Sequence, residues 1–306
     1  MANANSQPAL APASYCLSNM ERQKMDIDHL RSWIGRTETL DDLVTPTPIA
    51  ALAATLDRDD PQPRKGDALP PLWHWLYFLP LHRRSELGQD GHARRGGFLP
   101  PVPLPRRMWA GGRLRFHHPL RVGEDISRTS QIVDVSHKQG RSGELVFVLV
   151  RHEISNDQGV ALTEEHDIVY RDNPKPEDPV AEPPAAPAEA AWSRVITPDD
   201  VLLFRYSALT FNGHRIHYDR RYVTEVEGYP GLIVHGPLIA TLLVDLLRRN
   251  LPQADLAEFS FRAVSPVFDV APFSVCGQPE ADGKTVRLWA KNAGGGLAMQ
   301  ATARLR

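Results

Sequence analysis

The chain has 306 residues, 42% of them hydrophobic and 24% charged, which is ordinary for a globular protein about twice the length of an average domain. Its 35 basic and 37 acidic residues leave a net charge of −2, and this balance excludes a general nucleic-acid binder. The two cysteines, Cys16 and Cys276, lack the spacing of a disulfide framework or a cysteine metal site, so we expect a reducing compartment.

No targeting or membrane segment is predicted. The first thirty residues lack a basic start followed by an apolar stretch, and the longest apolar stretch, Pro237 to Leu247, is interrupted by Asp245 and is too short to cross a bilayer. We therefore expect a cytoplasmic protein that contacts neither a membrane nor a nucleic acid.

The first half of the chain is predicted to begin with helical segments and to continue with strands. Helical periodicity marks Asp26 to Ile34 and Thr47 to Leu56, and the aromatic run from Pro71 to Phe78 is apolar enough to be buried. Four segments rich in Val, Ile, Leu and Phe then predict an antiparallel meander with a hairpin turn at 156–159: Arg113 to Phe116, Ser127 to Val135, Glu144 to Ile154 and Val160 to Tyr170.

A proline-rich segment divides the chain nearly in half. Residues 173–190 contain six prolines and four carboxylates with almost nothing that can pack, which predicts an extended linker. The predicted organisation is therefore a first module at 15–172, a linker at 173–190 and a second module at 191–306.

The second half repeats the order of helices followed by strands. A helix is predicted from Asp199 to Leu209, and a second from Gly236 to Arg249 is apolar nearly all round, as expected for a helix wrapped by other structure. Strands are predicted at Glu258 to Val264, Phe273 to Gly277, Lys284 to Ala290 and Leu297 to Arg304. Two α+β modules follow, in each of which an antiparallel sheet wraps a central helix.

The second half also holds the residue types of an acid–base site. Asn212 and His217 lie in one short segment, where a histidine can serve as general base and an amide can orient a water molecule. Further on, His235 and Gly236 open the apolar helix, whose free N–H groups and positive dipole end can polarise a carbonyl oxygen. A base, a water-orienting group and an oxyanion site are thus all available.

This segment resembles the hydratase motif of the MaoC-like, hot-dog-fold enoyl-CoA hydratases, Asp-x-Asn-Pro-x-His followed by His-Gly at the start of the central helix. The resemblance implies that Asn212 stands at the family's catalytic Asp, His217 at its catalytic His, and Gly236 at the glycine whose N–H polarises the thioester carbonyl. His214 replaces the motif's Asn, and Arg215 replaces its Pro. Because an amide cannot accept a proton as a base, His217 is expected to carry the acid–base work.

Asn at this position is usual in the type 2 hydroxyacyl-thioester dehydratase branch, which residues 105–112 also resemble. The resemblance covers residues 25 to 305 and implies a tandem (double) hot-dog fold in which the first module is degenerate and makes room for the acyl group. It implies no metal and no cofactor, since CoA is part of the acyl-CoA substrate. The whole-chain pattern is similar to hydratases of branched dicarboxylyl-CoA esters, 3-methylfumaryl-CoA (mesaconyl-C4-CoA) and itaconyl-CoA, which give citramalyl-CoA.

Such substrates carry a second carboxylate, which a bidentate arginine can bind. Arg215 is the predicted partner, with Arg205 as an alternative, and His214 and His235 are also expected to contact the substrate. Two further arginines, Arg106 and Arg107, either contact CoA phosphates or belong to a solvated basic turn, and the sequence leaves both readings open.

Other functions remain open at this point. The same fold supports a (3R)-hydroxyacyl-thioester dehydratase of fatty-acid synthesis, an acyl-CoA thioesterase or an acyl-CoA sensor without catalysis. A thioesterase would use a carboxylate on the central helix, where Asp245 stands alone. His214, His217 and His235 also have the residue type of a zinc site. Hot-dog modules pair through their sheets, so a monomer acting as a pseudo-dimer and a homodimer are both compatible with the chain.

Overall fold

The structure, a computed structural model, describes residues 25–140, 143–173 and 182–306. Cys16, the first ten residues of the predicted first module and residues 174–181 of the predicted linker lie outside these ranges. The strands are β1 (Thr37–Leu43), β2 (Arg106–Phe116), β3 (Asp125–Gly140), β4 (Gly143–Asn156), β5 (Gly159–Arg171), β6 (Trp192–Ile196), β7 (Leu256–Ala263), β8 (Phe273–Pro279), β9 (Thr285–Lys291) and β10 (Leu297–Leu305).

Five α-helices accompany the strands in the described ranges: α1 (Ile27–Arg31), α2 (Pro46–Thr55), α3 (Asp200–Leu209), α4 (Arg220–Glu225) and α5 (Gly236–Asn250). Short 3-10 helices lie at Trp73–Leu76, Arg84–Glu86 and Arg215–His217. The Asp199 side chain caps α3 by accepting a hydrogen bond from the backbone N–H of Leu202 at 2.8 Å. None of the helices in the described part of the chain is both long and apolar enough to span a membrane.

All ten strands form one antiparallel sheet in the order β1-β3-β4-β5-β2-β7-β10-β9-β8-β6. Read outward from the β2/β7 join, the first half runs 2-5-4-3-1 and the second runs 7-10-9-8-6, so the two halves match strand by strand. This duplicated topology agrees with the predicted tandem hot-dog fold. The exact module boundaries stay a prediction.

Helix α5 is the central helix of the second half. It lies against β6, β8, β9 and β10, and every residue from Leu238 to Leu247 is buried, including Asp245. The predicted all-round apolar helix is therefore wrapped as expected. Its burial supplies much of the hydrophobic core of this half.

The first half differs from the prediction, because the described residues of this half contain no comparable long helix. The helix α2 has ten residues, and the 3-10 turn at Trp73–Leu76 takes part in covering the sheet with buried Trp73, Tyr77 and Phe78. Nine prolines between positions 61 and 105 explain the difference, since each removes a backbone donor and disfavours helix at the preceding residue. The aromatic run is buried, as predicted.

The two halves meet where β2 pairs with β7. The register runs from Gly111 opposite Arg262 to Arg115 opposite Glu258, and the last pair also forms an ion pair at 3.1 Å. A Cβ at Gly111 would lie 2.6 Å from the Phe261 carbonyl oxygen, so glycine is required for this close approach. The sequence predicted only the end of β2, which continues back to Arg106 and brings the first half to the site.

Candidate active site

The segment 210–219 forms the loop between α3 and α4. Phe211 adopts a left-handed conformation with φ of 50°, and the backbone N–H of Asn212 donates to the Ser207 carbonyl at 2.8 Å. The Asn212 side-chain oxygen accepts a hydrogen bond from the His214 backbone N–H at 3.0 Å. This local bonding turns the chain sharply and directs the following histidines inward.

His217 lies in this loop with 7% of its surface exposed. Its Nδ1 is 2.7 Å from the Ile233 carbonyl oxygen, and since a carbonyl can only accept, Nδ1 must carry the hydrogen. The neutral ring therefore keeps its lone pair on Nε2, which no described residue uses. This is the tautomer that a general base requires.

His217 is one of four histidines whose rings contact one another in sequence, which we call the histidine row. Ring centroids are 4.0 Å apart for His92 and His214, 5.4 Å for His214 and His217, and 3.8 Å for the stacked pair His217 and His235. The row runs from a half-buried end at His92 to the fully buried His235.

Burial keeps the histidine row neutral. Burial lowers the pKa of His217 to about 4 and that of His214 to about 2, with the neighbouring imidazoles as a further cause. The pKa of His235 is lowered well below its usual value for the same reasons, and burial also lowers the pKa of His92. These shifts favour the uncharged form of all four rings.

Gly236 and Asn212 are the other two residues predicted to take part in the reaction. Gly236 is the first residue of α5, where the backbone N–H has no helical partner and points out from the positive end of the helix dipole. A Cβ at Gly236 would lie 4.0 Å from the Trp109 carbonyl oxygen, so β2 of the first half lies directly opposite. The side-chain amide of Asn212 has no acceptor among the described residues and is half-buried, so it is free to donate.

The first half contributes a loop that sequence reasoning missed. The Asp90 carboxylate accepts from the His92 side chain at 3.0 Å and from the His92 backbone at 3.1 Å, and the His92 ring packs on His214. The Asp90 carbonyl also accepts from the Arg215 backbone N–H at 2.9 Å. A polar stretch with two glycines, an Asp and a His at 88–92 was the only local signal.

Gly91 makes this contact between the halves possible. It adopts φ of 88°, and a Cβ at this position would lie 1.9 Å from the Gly213 carbonyl oxygen. No side chain fits there without moving one loop away from the other. The glycine therefore positions His92 against the loop at 210–219.

The predicted substrate-binding arginine already has partners. The Arg215 guanidinium donates to Asp219 through Nε and Nη2, at 2.9 and 2.7 Å, and Nη1 donates to the Gln89 carbonyl at 3.0 Å. It also lies 4.1 Å from the centre of the Tyr222 ring. Its contacts favour a role in tying the loops together, and substrate binding by Arg215 stays a prediction. The alternative, Arg205, is exposed on α3.

His235 lies in the protein interior next to His217, where it is not positioned to contact a ligand. Its side chain is fully buried, its Nε2 is 2.8 Å from the Ser207 hydroxyl, and its Nδ1 has no partner among the described residues. Contact of this side chain with substrate is not supported by its burial. Stacking on His217 indicates a positioning role.

A metal ion has one possible site in the described part of the chain. Asp90, His92 and His214 each offer a ligand atom, and these atoms lie within 4.8 Å of one another. Both Asp90 oxygens already accept from His92, and the positive charge of Arg107 lies close enough to lower the pKa of both imidazoles. Binding of a metal cation next to the Arg107 guanidinium is therefore disfavoured. The predicted absence of a metal and a cofactor stays a prediction.

Asp245 does not have the environment of a catalytic carboxylate. It is buried on α5 and forms ion pairs with Arg58 at 2.5 Å, Arg194 at 3.0 Å and Arg249 at 2.7 Å. Three arginines thus neutralise the carboxylate that a thioesterase mechanism would require.

Comparison with known proteins agrees with the motif. Residues 72–269 match the sequence profile of hydroxyacyl-thioester dehydratase type 2. The chain belongs to this family. It is 48% identical over 277 residues to the mesaconyl-C(4)-CoA hydratase of Chloroflexus aurantiacus, covering 90% of this chain and 97% of the relative. It is 30% identical to the mitochondrial hydroxyacyl-thioester dehydratase type 2 of Schizosaccharomyces pombe, covering 78% of this chain and 88% of the relative.

Solved structures confirm the fold class. HtdX of Mycobacterium tuberculosis superimposes with a TM-score of 0.62 at 20% identity, covering 89% of this chain and all of HtdX. A double hot-dog protein of the same organism gives 0.53 at 14% identity, covering 92% of this chain and 98% of that protein. The α+β double hot-dog prediction is therefore confirmed, and family membership confirms the predicted hydro-lyase class.

Proposed function

We propose that this protein is an acyl-CoA hydratase that adds water reversibly to mesaconyl-C4-CoA to give citramalyl-CoA. The observation that supports the reaction is the free Nε2 of His217, held in the required tautomer by Ile233. The substrate assignment is supported by 48% identity over 90% of the chain to a mesaconyl-C(4)-CoA hydratase. Itaconyl-CoA, whose hydration gives the same product, is the second candidate substrate.

The proposed first step is the attack of water on the β-carbon of the enoyl thioester. Nε2 of His217 removes a proton from a water molecule, while the Asn212 amide donates a hydrogen bond to the water oxygen and fixes its orientation. The oxygen forms a bond to the β-carbon, and the electron pair of the double bond moves onto the thioester as an enolate. The Gly236 N–H at the start of α5 stabilises the enolate oxygen.

The second step returns the proton. The imidazolium of His217 donates its Nε2 proton to the α-carbon, which collapses the enolate and restores the neutral base. Asn212 cannot supply this proton because an amide is not an acid in this range. The balance is the gain of one water molecule, with no metal, cofactor or covalent intermediate.

The fatty-acid dehydratase alternative uses the same residues in the reverse direction on a monocarboxylyl chain. The lower identity of 30% to the Schizosaccharomyces pombe dehydratase does not favour it. The thioesterase alternative is opposed by the three arginines around Asp245. Cytoplasmic location and the choice between monomer and homodimer stay predictions, although the β2/β7 pairing already joins two hot-dog halves within one chain.

The test is incubation of the purified full-length protein with mesaconyl-C4-CoA, itaconyl-CoA and crotonyl-CoA in parallel. Mass spectrometry reports the gain of one water, and a thiol reagent reports the release of free CoA. The proposal predicts hydration of at least one dicarboxylyl ester faster than crotonyl-CoA and no thiol release. Thiol release would establish a thioesterase, and binding without any mass change would establish a sensor.

A further inference from the structure

Two neighbouring arginines on β2 are used in opposite ways. Arg106 donates from Nε to Asn173 at 2.9 Å, from Nη2 to the Glu227 carbonyl at 2.9 Å and from Nη1 to the Tyr229 hydroxyl, and it forms an ion pair with the Glu227 carboxylate. Arg107 forms no ion pair with any carboxylate in the described ranges. One strand therefore carries a structural arginine beside an uncompensated one.

Arg107 lies on the same face of β2 as Trp109, because successive side chains of a strand alternate, and it pairs with Tyr170 of β5. The Arg95 guanidinium lies 5.5 Å from the ring of Tyr170. The guanidinium charge is also close enough to His92 and His214 to lower the pKa of both rings. Arg107 is therefore located beside the outer half of the histidine row.

A second cation stands next to it. Arg95 directs its guanidinium to the carbonyl oxygens of Val102, Leu104 and Pro105, and it too has no carboxylate within ion-pair distance in the described structure. Burial lowers the pKa of Arg95, and the neighbouring Arg107 charge lowers it further. The nearby carboxylate of Asp90 is occupied by His92. Two arginines, one carboxylate and neutral imidazoles leave about one net positive charge, which suits a monovalent anion.

We infer that Arg107, supported by Arg95, binds the free carboxylate of a dicarboxylyl acyl group and so selects such substrates over plain enoyl chains. This inference rests on the proposed hydratase function. In mesaconyl-C4-CoA the carboxylate is bonded to the carbon that water attacks, so it must lie close to the water held by His217. The charge of Arg107 is close enough to His214 to lower the pKa of that ring. The centroid of the His214 ring is 5.4 Å from that of His217. The CoA phosphates, in contrast, lie at the far end of the pantetheine arm.

The test compares two four-carbon ligands that differ only in carboxylate against methyl, succinyl-CoA and butyryl-CoA. Their inhibition constants are measured against hydration by wild type, Arg107→Gln, Arg107→Lys and Arg106→Gln. Wild type is expected to prefer succinyl-CoA, and Arg107→Gln should reduce this preference about 100-fold, since it removes one partner of a charged pair. Arg107→Lys keeps the positive charge but loses the bidentate geometry of the guanidinium, and it should reduce the preference for succinyl-CoA about 10-fold. Arg106→Gln should leave the preference as in wild type.

Each other outcome has a distinct meaning. Equal weakening of both ligands in Arg107→Gln assigns the residue to a CoA phosphate and overturns the carboxylate inference. No weakening of either ligand, or a wild type without preference, overturns it as well. Wild-type hydration of crotonyl-CoA without hydration of either dicarboxylyl ester refutes the proposed substrate, and the inference fails with it. Circular dichroism on each variant shows whether the chain is folded.

Discussion

The two halves of the sheet both bury histidines, but they surround them with different groups. In the first half, Glu164 is 2% exposed and accepts hydrogen bonds from His74 at 2.9 Å, His166 at 2.6 Å and Trp75 at 2.9 Å; His152 in turn contacts His166. We call these residues the glutamate cluster. In the second half, His217 and His235 contact no carboxylate in the described structure.

This difference decides which histidine can do chemistry. In the glutamate cluster, burial alone would raise the pKa of Glu164, but the charges and hydrogen bonds of His166 and His74 lower it well below its usual value. The imidazole donors are committed to the carboxylate. In the histidine row, His217 is bonded at Nδ1 only, so burial leaves an unprotonated Nε2 available to a water molecule. The second half, where His217 is not bonded to a carboxylate, is therefore the one suited to general base catalysis.

The clusters are nevertheless connected through one aromatic residue. The Trp109 ring packs on His166 with ring centroids 4.0 Å apart, and the Trp109 carbonyl lies opposite Gly236. The glutamate cluster thus holds the strand that forms the opposite wall of the site. Its expected contribution is to stability and wall position, and the contribution of the histidine row is to the chemical step.

The largest expected effect is on the base itself. His217→Ala should lower kcat for hydration by about 100- to 10,000-fold, because general base catalysis contributes this range. The matched control is His152→Ala, which removes an equally buried histidine from the glutamate cluster and should change kcat only a few-fold. Steady-state hydration kinetics check both variants. Similar losses of kcat in the two variants would remove the distinction between the clusters.

The second prediction concerns the glutamate cluster, where a substitution should affect stability more than the chemical step. Glu164→Ala leaves His74, His166 and Trp75 without their acceptor and should lower the free energy of unfolding by about 3–5 kcal/mol, the range for breaking a buried charged pair. Urea unfolding measures this change.

The adjacent Glu165 provides the control. It is paired with Arg113 and Arg151 on the more exposed face of the same strand, where such pairs contribute about 0–1 kcal/mol. Glu165→Ala should therefore have little effect on the urea midpoint. If the two variants unfold at the same urea concentration, the glutamate cluster is not a source of stability.

A third substitution tests the contact between the halves. Gly91→Ala should lower the free energy of unfolding by more than about 2 kcal/mol and kcat by about 10- to 100-fold, because the methyl group overlaps the Gly213 carbonyl and displaces the catalytic loop. Gly66→Ala is the control, since Gly66 has φ of 90° and nothing within 4 Å of its Cβ position. It should show the backbone strain of about 1–2 kcal/mol without the loss of kcat. Equal kinetics in both variants would exclude a catalytic role for this contact.

Much of this organisation could be predicted from the sequence because it is local. The apolar pattern of α5, the spacing from Asn212 to His217 and the glycine at the helix start all depend on neighbours in the chain. The strands β1 and β6 were missed because they are short and their side chains are mostly not buried, so no alternating pattern marks them.

The missed parts of the site depend on contacts between distant residues. His92 meets His214 across more than one hundred positions, and nothing within either segment encodes this pairing. Arg215 is the predicted carboxylate partner because it lies inside the motif, whereas its ion pair with Asp219 becomes visible only in three dimensions. The long helix expected in the first half was overridden by the prolines that follow α2.

The smallest expected effect concerns pH. A base acts only when unprotonated, and burial lowers the pKa of His217 from 6.5 to about 4. The value of kcat/KM should therefore stay nearly constant from about pH 8 down to about pH 5.5 and fall only as pH approaches 4. Activity that is halved near pH 6.5 would show that His217 has the pKa of an exposed histidine and that the row does not desolvate it.

The pH dependence of the free energy of unfolding also distinguishes His217 from Glu164. The unfolded state binds more protons at His217 than the folded state between pH 6.5 and about 4, so the stability contribution of this residue is complete above pH 6.5 and is lost as pH falls through that window. The contribution of Glu164, whose pKa is lowered by folding, is instead complete above its ordinary value of 4.5 and is lost only at lower pH. Urea midpoints at pH 7 and pH 5.5 should accordingly differ less in His217→Ala than in wild type, because the variant has no imidazole at this position to take up a proton on unfolding.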